Sequence, residues 1–136
     1  MKRRQKLSII ACAAVLAFSL TPAAAAQEHF SVKEYNSFHE LLHPLEHDAL
    51  PAKDFQRIRS NAGESVRRGK VVVRLGVPKG TAGKSVEEFR AELKKFKTAL
   101  ERLSKDAKRG TDAQLEVSFG AVHDSFEMLA GMLPRK

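Results

Sequence analysis

The sequence predicts an all-α protein, an antiparallel up-down-up-down four-helix bundle that follows a cleaved signal peptide. Four segments each carry one apolar stripe at steps of three and four residues, the spacing of a helix with a single buried face. The connections between these segments are short, and short connections place successive helices side by side in opposite directions. The chain of 136 residues fits one domain, which we assign to residues 27–136.

Residues 1–26 have the pattern of a secretory signal. Lys2, Arg3, Arg4 and Lys6 precede an apolar run of 14 residues from Leu7 to Leu20, and small residues follow up to Ala26. This run is shorter than the roughly 20 residues that cross a hydrocarbon core. We therefore expect cleavage, a periplasmic or secreted protein, and no stable membrane insertion after cleavage.

The composition of residues 27–136 excludes several functions. The leader holds four of the 24 Lys and Arg residues and none of the 16 acidic ones, so the remaining residues carry a net charge of +4. A small excess spread among acidic residues argues against nucleic-acid binding. The single cysteine, Cys12, lies in the leader, which excludes disulfides, thiolate metal ligands and thioether-linked haem from the mature chain.

The first two helices are predicted over about Ser31–Leu50 and Pro51–Leu75. Pro44 interrupts the first one and predicts a bend, because proline removes a backbone donor. In the second, glycines weaken the helix and Val71–Val73 could be extended, which leaves a helix followed by a strand as the alternative. We prefer the helix, since a lone strand would have no partner. The apolar stripes are Tyr35, Phe38, Leu42, Leu45 and Ala49, then Phe55, Ile58, Ala62 and Val66.

The last two helices have signals at both ends. Ser85 and Glu88 form a capping-box pattern for a helix over Ser85–Lys108. Gly110 suits the left-handed backbone conformation that often follows the end of a helix. Thr111 and Gln114 form a second capping box, and Pro134 ends the last helix. Their stripes are Val86, Phe89, Leu93, Phe96, Leu100 and Leu103, then Leu115, Phe119, Val122, Phe126, Leu129 and Leu133.

Histidines are the main candidates for chemistry. His39, His43 and His47 recur at steps of four in the first helix, and His123 and Glu127 are four residues apart in the last. Such pairs lie on adjacent turns about 6 Å apart, close enough to share a metal ion. At about 100° per residue all but His47 fall on a flank of their helix, while His47 faces water unless the bend at Pro44 rotates it.

This pattern predicts a metal site between the first and last helices. His39 or His43 would meet His123 and Glu127 there and bind Zn²⁺, Cu²⁺ or Ni²⁺, which suit imidazole ligands. Binding should fail below about pH 6, where imidazole becomes protonated. The predicted function is a metal carrier, buffer or sensor. The alternative is a structural or interaction module, with a protein partner or a second copy, in which the histidines are incidental.

The segment His39–His43 reads HELLH and matches the HExxH helix of zinc peptidases. The third ligand of the extended pattern would fall at Ala49, the required glycine at Glu46, and Pro44 directly follows the second histidine. We interpret the match as fortuitous and predict that the protein is not an enzyme.

Residues 121–126 read AVHDSF, which resembles the last helix of the cytochrome c-prime family, where the sequence tends to read ACHDDF. That family consists of exported four-helix bundles with a haem attachment motif. Both cysteines of CxxCH are absent here, so covalent haem is excluded. The resemblance implies a shared bundle, with His123 as a candidate ligand to a non-covalent haem or to a bare metal ion. A haem would need a second ligand, such as His39, His43 or a methionine.

Overall fold

The computed structural model describes residues 29–81 and 83–134, without the side chains of residues 83 and 84. The predicted signal peptide, residues 1–26, lies outside these residues. The described chain is helical and contains no strand, so the all-α class is confirmed. The helices are α1 (Lys33–Pro44), α2 (Phe55–Leu75), α3 (Gly83–Arg109) and α4 (Asp112–Gly131). A π-helical stretch, Leu45–Ala49, continues α1 and is called the π segment below.

The apolar stripes form one core, as their spacing predicts. Residues of all four helices and of the π segment contribute to it. Aromatic rings join α1 to its neighbours: Phe38 lies 4.8 Å from Phe126 of α4 and 5.5 Å from Phe96 of α3, measured between ring centroids. The largest fully buried side chains are Tyr35, Phe38, Phe89, Phe96, Phe119, Phe126, Leu42, Ile58, Leu100, Leu103, Leu115 and Leu129.

The chain after Pro44 adopts a wider turn than an α-helix has. Pro44 stays within α1, and the backbone N–H of Leu50 donates to the carbonyl of Leu45, five residues earlier, at 2.9 Å. Proline cannot donate a backbone hydrogen bond, so the helical hydrogen-bond pattern is already interrupted at this point. Both Leu45 and Ala49 remain buried, so the π segment keeps the core stripe continuous across the proline.

Four local expectations are decided by the structure. Residues 70–75 are helical, as preferred. The start of α2 at Pro51 is wrong, because the helix begins at Phe55 and the Asp54 carboxylate caps it by accepting from the Arg57 N–H at 3.0 Å. The Ser85 cap is also wrong, since α3 begins two residues earlier at Gly83. The Thr111–Gln114 capping box is confirmed, with both reciprocal hydrogen bonds present.

Gly110 does not adopt the left-handed conformation that we expected at the end of α3. Its backbone instead passes so close to α3 that a Cβ atom would lie 2.8 Å from the Cα of Asp106. The glycine is therefore required for space rather than for handedness.

Candidate functional site

Three histidines form a row along α1 and the π segment. The ring centroids of His39 and His43 are 5.2 Å apart, and those of His43 and His47 are 4.3 Å apart. His43 and His47 are exposed, whereas His39 is half-buried. The sequence spacing predicted this succession of imidazoles on adjacent turns, and we call it the histidine row.

The π segment explains why His47 stays close to His43. Four residues of an α-helix complete slightly more than one turn, so the side chain four residues later is displaced to one side of the first. A π turn closes over five residues, so fewer degrees are turned at each residue. The ring of His47 consequently lies over that of His43 while both remain in contact with solvent.

His39 forms the inner end of the row and contacts the last helix. Its ring lies 5.4 Å from that of Phe30, edge to face, and 6.2 Å from that of Phe126, nearly parallel to it. Asn36 holds Phe30 in this position, because its side-chain amide bonds to both the N–H and the carbonyl of Phe30, at 2.7 and 3.0 Å. The aromatic contact therefore fixes the ring of His39, in contrast to the two exposed rings.

The predicted partners on α4 have other surroundings. The His123 side chain is 24% exposed, and its Nδ1 atom lies 3.4 Å from Oδ1 of the adjacent Asp124. Glu127 is exposed. The residue of α4 that meets His39 is Phe126, three positions beyond His123.

The histidine row is linear rather than convergent. Within residues 29–81 and 83–134, no three His, Cys, Asp or Glu side chains are arranged as a group that could hold a metal ion. The structure thus brings His39, His43 and His47 into succession, but it does not assemble them with His123 and Glu127 as a preformed cage.

The segment that carries the histidine row is acidic. Residues 33–49 contain Glu34, Glu40, Glu46 and Asp48 against the single cation Lys33. Oε2 of Glu46 is buried and accepts no hydrogen bond from any described residue. The sequence carries no signal for this buried oxygen or for the contact of the Phe30 ring with His39, because both depend on how the chain before and after α1 packs.

The comparisons with known proteins supply no relative. No family model, curated protein or solved structure matches the chain. None of the helices in the described ranges combines the length and apolar character that a membrane crossing requires.

Proposed function

We propose that this protein binds a divalent transition metal ion on the outer side of α1 and the π segment, with His43 and His47 as the first two ligands. The observation that carries the proposal is the 4.3 Å separation of their exposed rings. Zinc binds imidazole nitrogen at about 2.0–2.1 Å, so two nitrogens on one ion lie roughly 3–3.5 Å apart. Two exposed rings this close reach that geometry by side-chain rotation alone.

The surroundings favour a cation that exchanges readily. Four carboxylates and one lysine in residues 33–49 give the segment a negative local charge, which attracts a divalent ion. Two protein ligands leave the other coordination positions to water or to an incoming ligand, whereas structural zinc sites use four protein ligands. A carrier, buffer or sensor that is not an enzyme fits this arrangement better than a structural ion.

His39, His123 and Glu127 are proposed as further ligands, of which His123 and Glu127 lie on α4. His39 continues the row but is packed between two phenylalanine rings. We favour a bare metal ion over a non-covalent haem, the alternative that the cytochrome c-prime resemblance implies. Val122 and Phe126 next to His123 are fully buried in the core, which leaves little space for a macrocycle there.

The test is a titration of the metal-free protein with Zn²⁺, Cu²⁺ or Ni²⁺, followed by calorimetry and thermal unfolding. A site saturated at a hundredfold excess over its Kd should stabilise the fold by about 2.7 kcal/mol. His43→Ala and His47→Ala should each abolish this gain, while His29→Ala, an exposed histidine before α1, should leave it unchanged. His123→Ala decides whether α4 takes part. An unfolding curve that no metal shifts would favour the interaction module with incidental histidines.

We infer that the four helices run up-down-up-down. Ser31, before α1, donates to the carbonyl of Pro134, after α4, at 3.0 Å, and Lys53, after the π segment, pairs with Glu116 near the start of α4 at 3.0 Å. These contacts at opposite ends of α4 support an antiparallel α1–α4 pair. Export to the periplasm or medium after cleavage near Ala26 is proposed from the leader pattern, and N-terminal sequencing of the protein from its host tests it.

A further inference from the structure

A groove runs along the outside of the α3–α4 pair, away from the histidine row. Two adjoining cavities of about 530 and 670 Å³ share Thr98 and Arg102 and together form this groove. On α3 it extends from Ala91 to Asp106, 16 residues or roughly 24 Å of helix. We call it the α3–α4 groove.

Each helix contributes a second stripe, separate from its core stripe. On α3 the lining residues recur at steps of four and three, and on α4 they recur at steps of four; they are Ala91, Lys95, Thr98, Arg102 and Lys105, and Ala113, Val117, Ala121 and Ser125. Such spacing is what one helix presents to another. Four alanines form the floor of the groove, and their small side chains would let a third helix approach closely. They are Ala91, Ala99, Ala113 and Ala121. Val117 at this floor is 64% exposed, although it is apolar.

The rim of the α3–α4 groove is cationic. α3 carries nine Lys and Arg against five acidic residues, so its charge of +4 equals that of the whole of residues 27–136. Lys95 pairs with Glu92 at 3.1 Å, and Glu101 and Asp106 line one end. Lys94, Arg102 and Lys105 form no ion pair with any residue in the described ranges. Three unpaired cations beside an apolar floor favour an occupant that is apolar on one face and acidic at its edges.

We propose that the α3–α4 groove binds an acidic amphipathic helix of a partner protein. The apolar stripe of that helix packs on the small-residue floor, and its carboxylates pair with Lys94, Arg102 and Lys105. A small molecule suits the groove less well, because it opens to solvent along its length, whereas small-molecule sites enclose most of their ligand. A second copy using the same face would bring like charges together.

The probe is a synthetic amphipathic helix of about 18 residues with leucine on one stripe and glutamate beside it, labelled for fluorescence anisotropy. A second peptide carries lysine in place of glutamate. The full chain should bind the acidic peptide about tenfold or more tightly than the basic one, and added salt should weaken this binding.

Two matched double variants locate the binding surface. Lys94→Glu with Arg102→Glu reverses two groove cations, whereas Arg90→Glu with Lys97→Glu reverses one arginine and one lysine at exposed positions of α3 outside the groove. Both pairs change the net charge equally, so only a specific groove separates them. The groove pair should weaken binding about tenfold, and the outer pair about twofold or less. Val117→Glu, at an exposed position, should also weaken it without loss of helical circular dichroism.

Three outcomes would overturn the proposal. The first is that the two double variants weaken binding of the acidic peptide equally. The second is that the chain binds the acidic and the basic peptide with equal affinity. The third is that the chain does not bind the acidic peptide and instead binds phosphatidylglycerol vesicles or self-associates.

Discussion

Gly69 of α2 lies directly against Leu100 of α3. A Cβ atom at position 69 would stand 2.6 Å from Cδ2 and 2.7 Å from Cδ1 of Leu100, which is closer than side-chain atoms normally approach. Leu100 is 1% exposed and belongs to the core, so its side chain has little room to move away. The absence of a side chain at position 69 is therefore what allows α2 and α3 to pack at this distance.

We predict that Gly69→Ala destabilises the protein by about 1–3 kcal/mol through overpacking, although alanine is the better helix former. Gly63→Ala in the same helix is the matched control. A Cβ atom there meets nothing within 4 Å, so this change should stabilise the protein by about 0.5–1 kcal/mol. Urea unfolding followed by circular dichroism measures both. Equal stability of the two variants would show that α2 and α3 lie further apart at position 69 than this packing requires.

Arg59 joins three helices at one end of the bundle. Its Nη1 atom donates to the carbonyls of Asp106 and Ala107 at 3.0 and 3.1 Å, and its Nη2 atom donates to the Gly110 carbonyl at 3.0 Å and to Oδ1 of Asp112 at 2.8 Å. The last turn of a helix has no residues beyond it to pair with its carbonyls. The Asp106 carbonyl also accepts from the Gly110 N–H at 2.8 Å, and Arg59 adds side-chain donors to this carbonyl and to that of Ala107. The guanidinium thus caps α3 from a position on α2.

We expect Arg59→Ala to cost about 1.5–3 kcal/mol of unfolding free energy, the range for hydrogen bonds made by a charged group. Arg59→Lys should recover only part of this loss, because one ammonium group cannot reproduce the planar fork of a guanidinium. Arg57→Ala serves as control, since this exposed arginine lies two residues earlier in the same helix. Chemical unfolding of the three variants tests the order, and a lysine variant as stable as the parent protein would contradict it.

The core was predictable from the sequence, whereas helix ends were only partly so. Stripe residues such as Phe38, Phe96 and Phe126 are all fully buried, because a period of three and four residues directly encodes one buried face. The cap at Thr111 is confirmed and the cap at Ser85 is not, although both show the same pattern. A capping pattern only states that a helix could begin there, and packing of the neighbouring turns decides whether it does.

The candidate site was likewise predictable only in part. Steps of four residues predicted a succession of His39, His43 and His47, which depends on one helix alone. Whether His123 joins them depends on how α4 is rotated against α1, and an angle of about 100° per residue cannot define that rotation. The π segment changes the rotation per residue around the helix axis. Apart from Pro44, nothing in the sequence indicated this segment.

Glu64 is held by two arginines on the exposed side of α2. Its carboxylate accepts from Nε and Nη2 of Arg67, both at 2.6 Å, and from Nε of Arg68 at 2.7 Å. Hydrogen bonds from Arg67 and then Arg68 lower the pKa of Glu64 from its ordinary value of 4.5 to about 2. Arg68 also donates to the Ser37 carbonyl at 2.6 Å, so this group links α2 to α1.

We predict a carboxyl titration midpoint near pH 2 for Glu64, measured by NMR, and an upward shift in Arg67→Ala. Because the pKa is lower in the folded state than in the unfolded state, the stabilisation is complete above pH 4.5 and is lost as the pH falls toward 2. The stability difference between the parent protein and Glu64→Gln should therefore shrink over this interval. Lys70→Ala, which removes a nearby exposed cation, should not move the midpoint. A midpoint near 4.5 in the parent protein would exclude the paired geometry.

Tyr35 has a fully buried ring whose hydroxyl meets no hydrogen-bond partner among the described residues. The ring stacks on Phe126 at 5.6 Å and contacts Phe30 at 6.4 Å, edge to face. The contribution of Tyr35 to the core is therefore apolar, and its hydroxyl carries the cost of desolvation without a compensating hydrogen bond from any described residue. Burial also raises the pKa of this hydroxyl well above its ordinary value of 10.0, because the charged phenolate is disfavoured in the core.

We predict that Tyr35→Phe stabilises the protein at neutral pH by about 1 kcal/mol, since it removes an unpaired polar group and keeps the ring. Tyr35→Leu, which also removes the ring contacts, should destabilise it.

A raised pKa in the folded state means that the parent protein loses stability as the pH rises beyond 10.0, a loss that Tyr35→Phe lacks. Tyr35 is the only tyrosine, so tyrosinate absorbance reports on it alone. That absorbance should appear together with the loss of helical circular dichroism, and tyrosinate formed while the helices persist would show that the hydroxyl is open to solvent.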